Sequence, residues 1–283
     1  MTPITQLAAA TDDMDVQRLF EQLMATNNEM AVLHRELTQK TRALEDARKL
    51  NNEFLGMAAH DLRNPLHVIG GMSKVLLRSK NVSDMERKLL QSIFESSGFM
   101  RRLVDDLLQV SELDAGELRL NRELFLMQDL IAERVDLQRP IAAEKHITLS
   151  TRCLKPLPAV NGDRMRLSQV IDNLLSNAIK YSGADTTVTV TARASHGVVR
   201  VSVGDEGQGI APEELGKLFR PFGVTSARAT GGEKSTGLGL LIVKRIAEAH
   251  GGTVRVRSRV GVGTTFHLSV PGNVPDGSFH AVK

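Results

Sequence analysis

Asp172-Asn173-Leu174-Leu175-Ser176-Asn177-Ala178-Ile179-Lys180-Tyr181 closes a stretch, 164–181, that the sequence predicts to be one helix. Side chains three and four apart are neighbours on a helix, so Asn173, Asn177 and Lys180 fall near one face. Downstream, Asp205-Glu206-Gly207-Gln208-Gly209-Ile210 sets a carboxylate beside two glycines that free the backbone to turn tightly. Then Ser235-Thr236-Gly237-Leu238-Gly239-Leu240 opens a strongly apolar helical stretch, and the free amides at such a start form an anion site. The three segments supply an oxygen ligand for a hard metal ion, a cation for phosphate, an acceptor for a base edge and a phosphate cradle. Their order and spacing describe a nucleoside triphosphate site.

On these residues the chain resembles the ATP-binding domain of sensor histidine kinases, within the superfamily shared by gyrase, MutL and the heat-shock chaperone ATPases. The segments match that family's N, G1 and G2 boxes, and Lys217-Leu218-Phe219-Arg220-Pro221-Phe222 matches its F box. Upstream, Phe54-Leu55-Gly56-Met57-Ala58-Ala59-His60-Asp61-Leu62-Arg63-Asn64-Pro65-Leu66 looks like the family's H box, which holds the phosphate-accepting histidine. His60 is followed directly by an acid, and by Asn64-Pro65 four and five positions on; His67 has no such setting. Ala59 stands where many relatives have Ser, and Asp61 where many have Glu. The resemblance covers roughly residues 50 to 271.

Length and composition agree with this reading. A chain of 283 residues suggests about two domains, and 41% hydrophobic content can support a core. With no Trp and one Tyr, that core is built from aliphatic side chains. The net charge of +3 is spread along the chain. Arg193, Arg200, Arg255, Arg257 and Arg259 lie over strand-like segments without interleaved aromatics, so no nucleic-acid groove is indicated. The one cysteine, Cys153, excludes an internal disulfide and fits a reducing cytoplasm. No apolar run approaches the ~20 residues that span a bilayer, and no signal pattern opens the chain. The expected location is cytoplasmic.

The expected architecture is α plus α/β in two domains, preceded by a coiled-coil helix. Residues 1–15 read as a flexible N-terminus. Over 16–53, Leu23, Thr26, Met30, Leu33, Leu37, Lys40, Leu44, Ala47, Asn51 and Phe54 alternate spacings of three and four, the seam of a parallel dimeric coiled coil with polar breaks. Residues 48–116 read as a helical hairpin, the dimerisation and phosphotransfer domain. Its first helix runs to about Arg78 with a kink at Pro65; Ser83 caps the second, which ends at Gly116. The hairpin's apolar stripe is too wide for two helices alone, so two copies form a four-helix bundle and the chain is a homodimer. Residues 117–271 alternate strands (118–125, 147–152, 187–193, 198–203, 253–258, 264–270) with helices (127–143, 164–181, 212–218, 238–249), giving a two-layer α/β sandwich ATP-binding domain. Residues 220–236 read as a lid beside the phosphate site. The tail, 272–283, reads as unstructured.

The resemblance then assigns the chemistry. ATP is the nucleotide, Asn177 the Mg2+ ligand, and Asn173 its support one turn earlier. Lys180 is a point charge for phosphate, Tyr181 stacks on adenine, and Asp205 accepts from the adenine amino group. Gly207 and Gly209 admit close backbone approach, and the amides around Ser235, Thr236, Gly237, Leu238 and Gly239 face the phosphates. ATP phosphorylates an imidazole nitrogen of His60, Asp61 holds the other ring proton, and the phosphoryl group passes to an aspartate of a response-regulator receiver. Asn64, one turn beyond His60, is placed to orient a water for dephosphorylating that receiver. Input is expected from a separate sensor or upstream regulatory protein, the coiled coil, or a region outside this sequence. Two alternatives belong to other classes: an ATP-driven conformational machine without phosphotransfer, and a silent dimeric scaffold.

Overall fold

A computed structural model describes the backbone of residues 3–79, 81–114, 120–153 and 157–273, with side chains described from residue 23 onward apart from 45, 49, 51, 53 and 114. By contacts the chain forms two units, one reaching to Phe54 and one beginning at Leu55.

The first unit is carried by helix α1 (Pro3–Leu77). Helix already begins at Pro3, against the flexible segment expected over 1–15. Proline is well tolerated in a first helical turn, and Leu7-Ala8-Ala9-Ala10 has high helix propensity. The seam lies open to solvent, with Leu23, Met30, Leu33, Leu37 and Leu44 all more than half exposed.

In the second unit α1 passes through Pro65, and α2 (Asp84–Asp114) returns. Ser83 caps α2 reciprocally: its amide donates to the Glu86 carboxylate at 2.8 Å, and its hydroxyl accepts from the Glu86 amide at 3.3 Å. Arg63 donates to Asp105 at 2.6 Å, tying the two helices together. The hairpin keeps Leu62, Met72, Val75, Leu89 and Ile93 exposed. The expected stop at Gly116 lies outside the described residues.

The remaining elements are β1 (Glu123–Leu126), α3 (Met127–Glu144), β2 (Thr148–Cys153), β3 (Ala159–Gly162), α4 (Arg164–Tyr181), β4 (Thr187–Ser195), β5 (Val198–Gly204), α5 (Pro212–Leu215), α6 (Gly239–Ala249), β6 (Thr253–Arg259) and β7 (Gly263–Pro271). Five strands form a sheet in the order β2-β4-β5-β7-β6, with β2 parallel to β4 and the other neighbours antiparallel. Alternation buries Val188, Val190, Val201, Val203 and Leu268 on one face, against Leu130, Ile131, Leu174, Ile242 and Ile246 of α3, α4 and α6. This is the expected two-layer sandwich.

Three expectations need correction. Of the strand expected over 118–125, residues 118 and 119 lie outside the described residues and 120–122 are not strand; the strand occupies 123–126, because its extent is set by pairing with β3, from Glu123 with Gly162 to Leu126 with Ala159. β3 escapes sequence reading: four residues after Pro158 carry too little periodicity. The helix expected over 212–218 stops at Leu215, with Gly216 as its cap. At the far end, Gly272 and Asn273 are not loose. Their amides donate to Gly197 O at 2.8 Å and Ala159 O at 2.7 Å, while the rest of the tail lies outside the described residues.

Candidate active site

The side chain of Asp163 accepts from the Arg166 amide at 3.0 Å and so fixes where α4 begins. Leu167, Ile171, Leu174 and Leu175 are buried in the core. The register that buries them turns Asn173, Asn177 and Lys180 into a cavity of about 490 Å3. The same cavity is lined by Tyr181, Asp205, Gly209, Ser235, Thr236, Gly237 and Gly239, so segments read separately in sequence meet in one place. Gly207 and Leu238 do not line it. Leu238 is buried at the start of α6, and Gly207 acts one step back, its amide donating to Asp205 Oδ1 at 2.9 Å.

Asp205 Oδ1 also accepts from the Thr264 amide at 3.1 Å. Both described bonds fall on the same oxygen, so Oδ2 keeps its acceptor capacity for a ligand. Burial pushes the Asp205 carboxyl above the usual carboxylate range, and these two backbone donors pull it partly back. Gly209 permits the turn that follows: φ is +71°, and a Cβ there would sit 2.1 Å from Arg259 O. Gly237 has the same need, with φ +71° and an added Cβ 2.9 Å from the Cα of Phe222. The F-box and G2 segments thus cross backbone against backbone. No side chain caps α6, which leaves its first amides open beside Gly239.

Lys180 is buried, and its ammonium lies 5.6 Å from the Tyr181 ring centroid. Burial holds it below the usual lysine range; Glu233 raises it again, while Arg102 and Lys145 add to the lowering. Glu233 itself pairs with Lys145 at 2.6 Å.

The lid expected over 220–236 is irregular but pinned. Glu214 accepts from the Ser226 amide at 2.9 Å and hydroxyl at 2.7 Å, Gln208 donates to Arg228 O at 2.5 Å, and the Thr230 hydroxyl donates to Ser182 O at 2.8 Å. Two cavity residues come from an element the sequence offered no reason to include: Arg102 and Asp106 of α2. Asp106 accepts from the Thr236 hydroxyl at 2.7 Å. No motif marks either residue, since only packing of α2 against α6 brings them there.

His60, Asp61 and Asn64 lie on α1 and do not line the cavity. His60 is exposed, and its Nδ1 faces Asp61 Oδ1 at 3.3 Å, an arrangement that leaves Nε2 as the outward ring nitrogen. Asn64 is exposed one turn further on. Among the described residues no three His, Cys, Asp or Glu side chains cluster to hold a metal ion, and no helix is long and apolar enough to cross a membrane.

Two family models match the chain. The His Kinase A (phospho-acceptor) domain matches residues 50–116, and the histidine kinase-, DNA gyrase B- and HSP90-like ATPase matches residues 162–274. Among curated proteins, the chain is similar to the histidine protein kinase DivJ of Caulobacter vibrioides, 35% identical over 224 residues, which are 77% of this chain and 37% of DivJ. Among solved structures it is similar to full-length ShkA in complex with AMPPNP: 33% identity, TM-score 0.66, 78% of this chain and 46% of that one. It is also similar to the histidine kinase ThkA in complex with the response regulator protein TrrA: 26% identity, TM-score 0.56, 78% of this chain and 61% of that one. The chain spans less than half the length of the curated relatives it matches. With a phosphoacceptor helix and an ATPase sandwich in the order of both models, the chain belongs to the sensor histidine kinases of two-component systems.

Proposed function

We propose that the chain is an ATP-dependent protein-histidine kinase acting in two-component signalling. His60 Nε2 attacks the γ-phosphorus, the bond to the bridging β-oxygen breaks and ADP leaves; the phosphoryl group then moves to an aspartate of a response-regulator receiver. The observation that carries this reading is the convergence of Asn173, Asn177, Lys180, Asp205 and Gly239 on one cavity, in a chain whose exposed His60 has one ring nitrogen already facing a carboxylate.

The residues divide the work. Asp205 Oδ2 takes the adenine amino group, and Tyr181 forms a wall for the base. Lys180 and the open amides at the start of α6 hold the phosphates. Asp61 fixes the ring proton at Nδ1, and Asn64 orients a water when the receiver is dephosphorylated. The donor set fits Mg2+: the neutral carboxamide of Asn177 on the cavity wall suits an ion that keeps its waters and binds through phosphate oxygens. When bound, that ion neutralises phosphate charge.

The bare seam of α1 and the bare stripe of the hairpin support a homodimer, with a parallel coiled coil over 16–53 and a four-helix bundle over 48–116. Residues 117–271 then form the ATP-binding domain. ATP and the free thiol of Cys153 both suit the cytoplasm. The signal comes from a separate sensor or upstream regulatory protein, from the coiled coil, or from a region outside this sequence.

The test is His60→Gln, which keeps size and polarity but removes the nucleophile. ATP-dependent, acid-labile phosphate should vanish while nucleotide binding persists. Incorporation near the wild-type level would reject His60 as acceptor, and intact binding without acid-labile phosphate in the wild type would favour a conformational ATPase.

A further inference from the structure

The helices cover one face of the five-stranded sheet, and the other face is open and basic. Its centre can be read across the strands in register: Arg152 of β2, Thr191 of β4, Ser202 of β5, His267 of β7 and Arg255 of β6. The adjoining rows add Arg193 opposite Arg200, and Arg257 opposite Thr265, with Arg259 beyond. No acidic residue stands at any outward position of the five strands. Among the described residues none of these arginines forms an ion pair with a carboxylate. Burial first, then the positive charges of Arg257, Arg200 and Arg193, hold His267 below its ordinary range, which places those charges together on this face.

Where the apolar residues lie indicates what this face meets. Protein interfaces have an apolar centre and a polar rim. Here the centre is Ser202, His267 and arginine, and the most exposed apolar side chains, Val260 and Val262, sit at the edge on the tip of the β6–β7 hairpin at 62% and 58% exposure. The face carries no aromatic to stack on a base and no helix to enter a groove. A flat basic field with apolar side chains at one margin matches a lipid surface, where charge draws the domain down and the tip enters the headgroup layer.

We propose that the open face of the sheet, with the Val260–Val262 tip, docks on an anionic lipid membrane. Lipid phosphates and carboxylates pair with the arginines, whose planar guanidinium groups suit phosphate oxygens.

The test is co-sedimentation of the intact chain with vesicles of phosphatidylcholine alone or with one-third phosphatidylglycerol, at ~0.1 M and ~0.5 M salt. Binding should require phosphatidylglycerol and should be lost at the higher salt. Since each arginine near such a surface contributes on the order of fivefold, Arg255→Gln/Arg257→Gln should weaken partitioning about 30-fold. Arg35→Gln/Arg42→Gln on α1 should leave it unchanged, and autophosphorylation in solution should match the wild type in both variants. Equal binding to both vesicle types, equal losses in the two variants, or no binding would each overturn the proposal. Tighter binding to duplex DNA than to vesicles at equal phosphate would assign the face to nucleic acid instead.

Discussion

The hydroxyl of Thr236 donates to the carboxylate of Asp106 across 2.7 Å, joining the glycine-rich turn before α6 to the second helix of the hairpin. Asp106 is pushed above the usual carboxylate range by burial and drawn partly back by this bond, so the pair is a partly desolvated contact. It is also a wall of the nucleotide cavity, beside Arg102. Anything that moves α2 therefore moves one edge of that cavity, the proposed phosphate cradle. Asp106→Ala and Thr236→Val should each destabilise the folded chain, and the double variant should lose less than their sum, with a coupling of about 1 kcal/mol in denaturant unfolding. Strict additivity would mean that the bond does not hold the two elements together.

The nucleotide contacts make a second prediction. Two backbone amides grip Asp205 Oδ1. In Asp205→Asn those amides keep the carbonyl oxygen, and the new NH2 group is turned toward the base, where it opposes the adenine amino group. Preference for ATP over GTP should fall by on the order of 1–3 kcal/mol, and Asn177→Ala should weaken Mg-ATP by about tenfold or more. Titration with labelled ATP and GTP reads both, and unchanged affinities in both variants would place the site elsewhere.

Lys180 sets a pH dependence whose sign follows from its burial. Its ammonium is held below the usual lysine range in the free protein, so the buried cation costs stability at low pH, and that cost is relieved as pH rises through the lowered value. Polyphosphate favours the cation and raises the value again. ATP binding should therefore take up a proton in the alkaline window between the two values, and affinity should fall as pH rises through it. Calorimetry in buffers of different ionisation enthalpy measures the uptake, which Lys180→Gln should abolish.

Asn64 separates two activities. It stands exposed one helical turn beyond His60, outside the nucleotide cavity. Asn64→Ala should keep ATP-dependent phosphorylation of His60 and slow dephosphorylation of a phosphorylated receiver on the order of 100-fold. A parallel fall in both rates would make Asn64 a support of the backbone before Pro65 instead.

Local chemistry made much of this protein legible from its sequence. The span of α4 could be read because its residues recur with helical spacing over one continuous run, while its capping aspartate, Asp163, came from the structure. The long strands could be read because their apolar residues alternate against a single helical layer, and the Asp205 turn because Gly209 occupies left-handed backbone that few other residues adopt. What the sequence left open depends on partners distant along the chain. β1 and β3 pair only with each other, so the bounds of β1 follow from that pairing, and β3 carries too little pattern to be seen alone. Gly207 serves Asp205 instead of the ligand, and Leu238 turns into the core, because a motif fixes residue types but not the direction each one faces. Arg102 and Asp106 enter the cavity only because α2 packs against α6, across a separation of 130 residues in the Asp106–Thr236 bond. The sequence alone determined the fold class, the family and the kinds of groups that meet in the cavity, since those follow from motif order, periodicity and spacing. Only the tertiary structure decided which helix closes the cavity and which sheet face stays bare, since both depend on surfaces that meet after the local elements have formed.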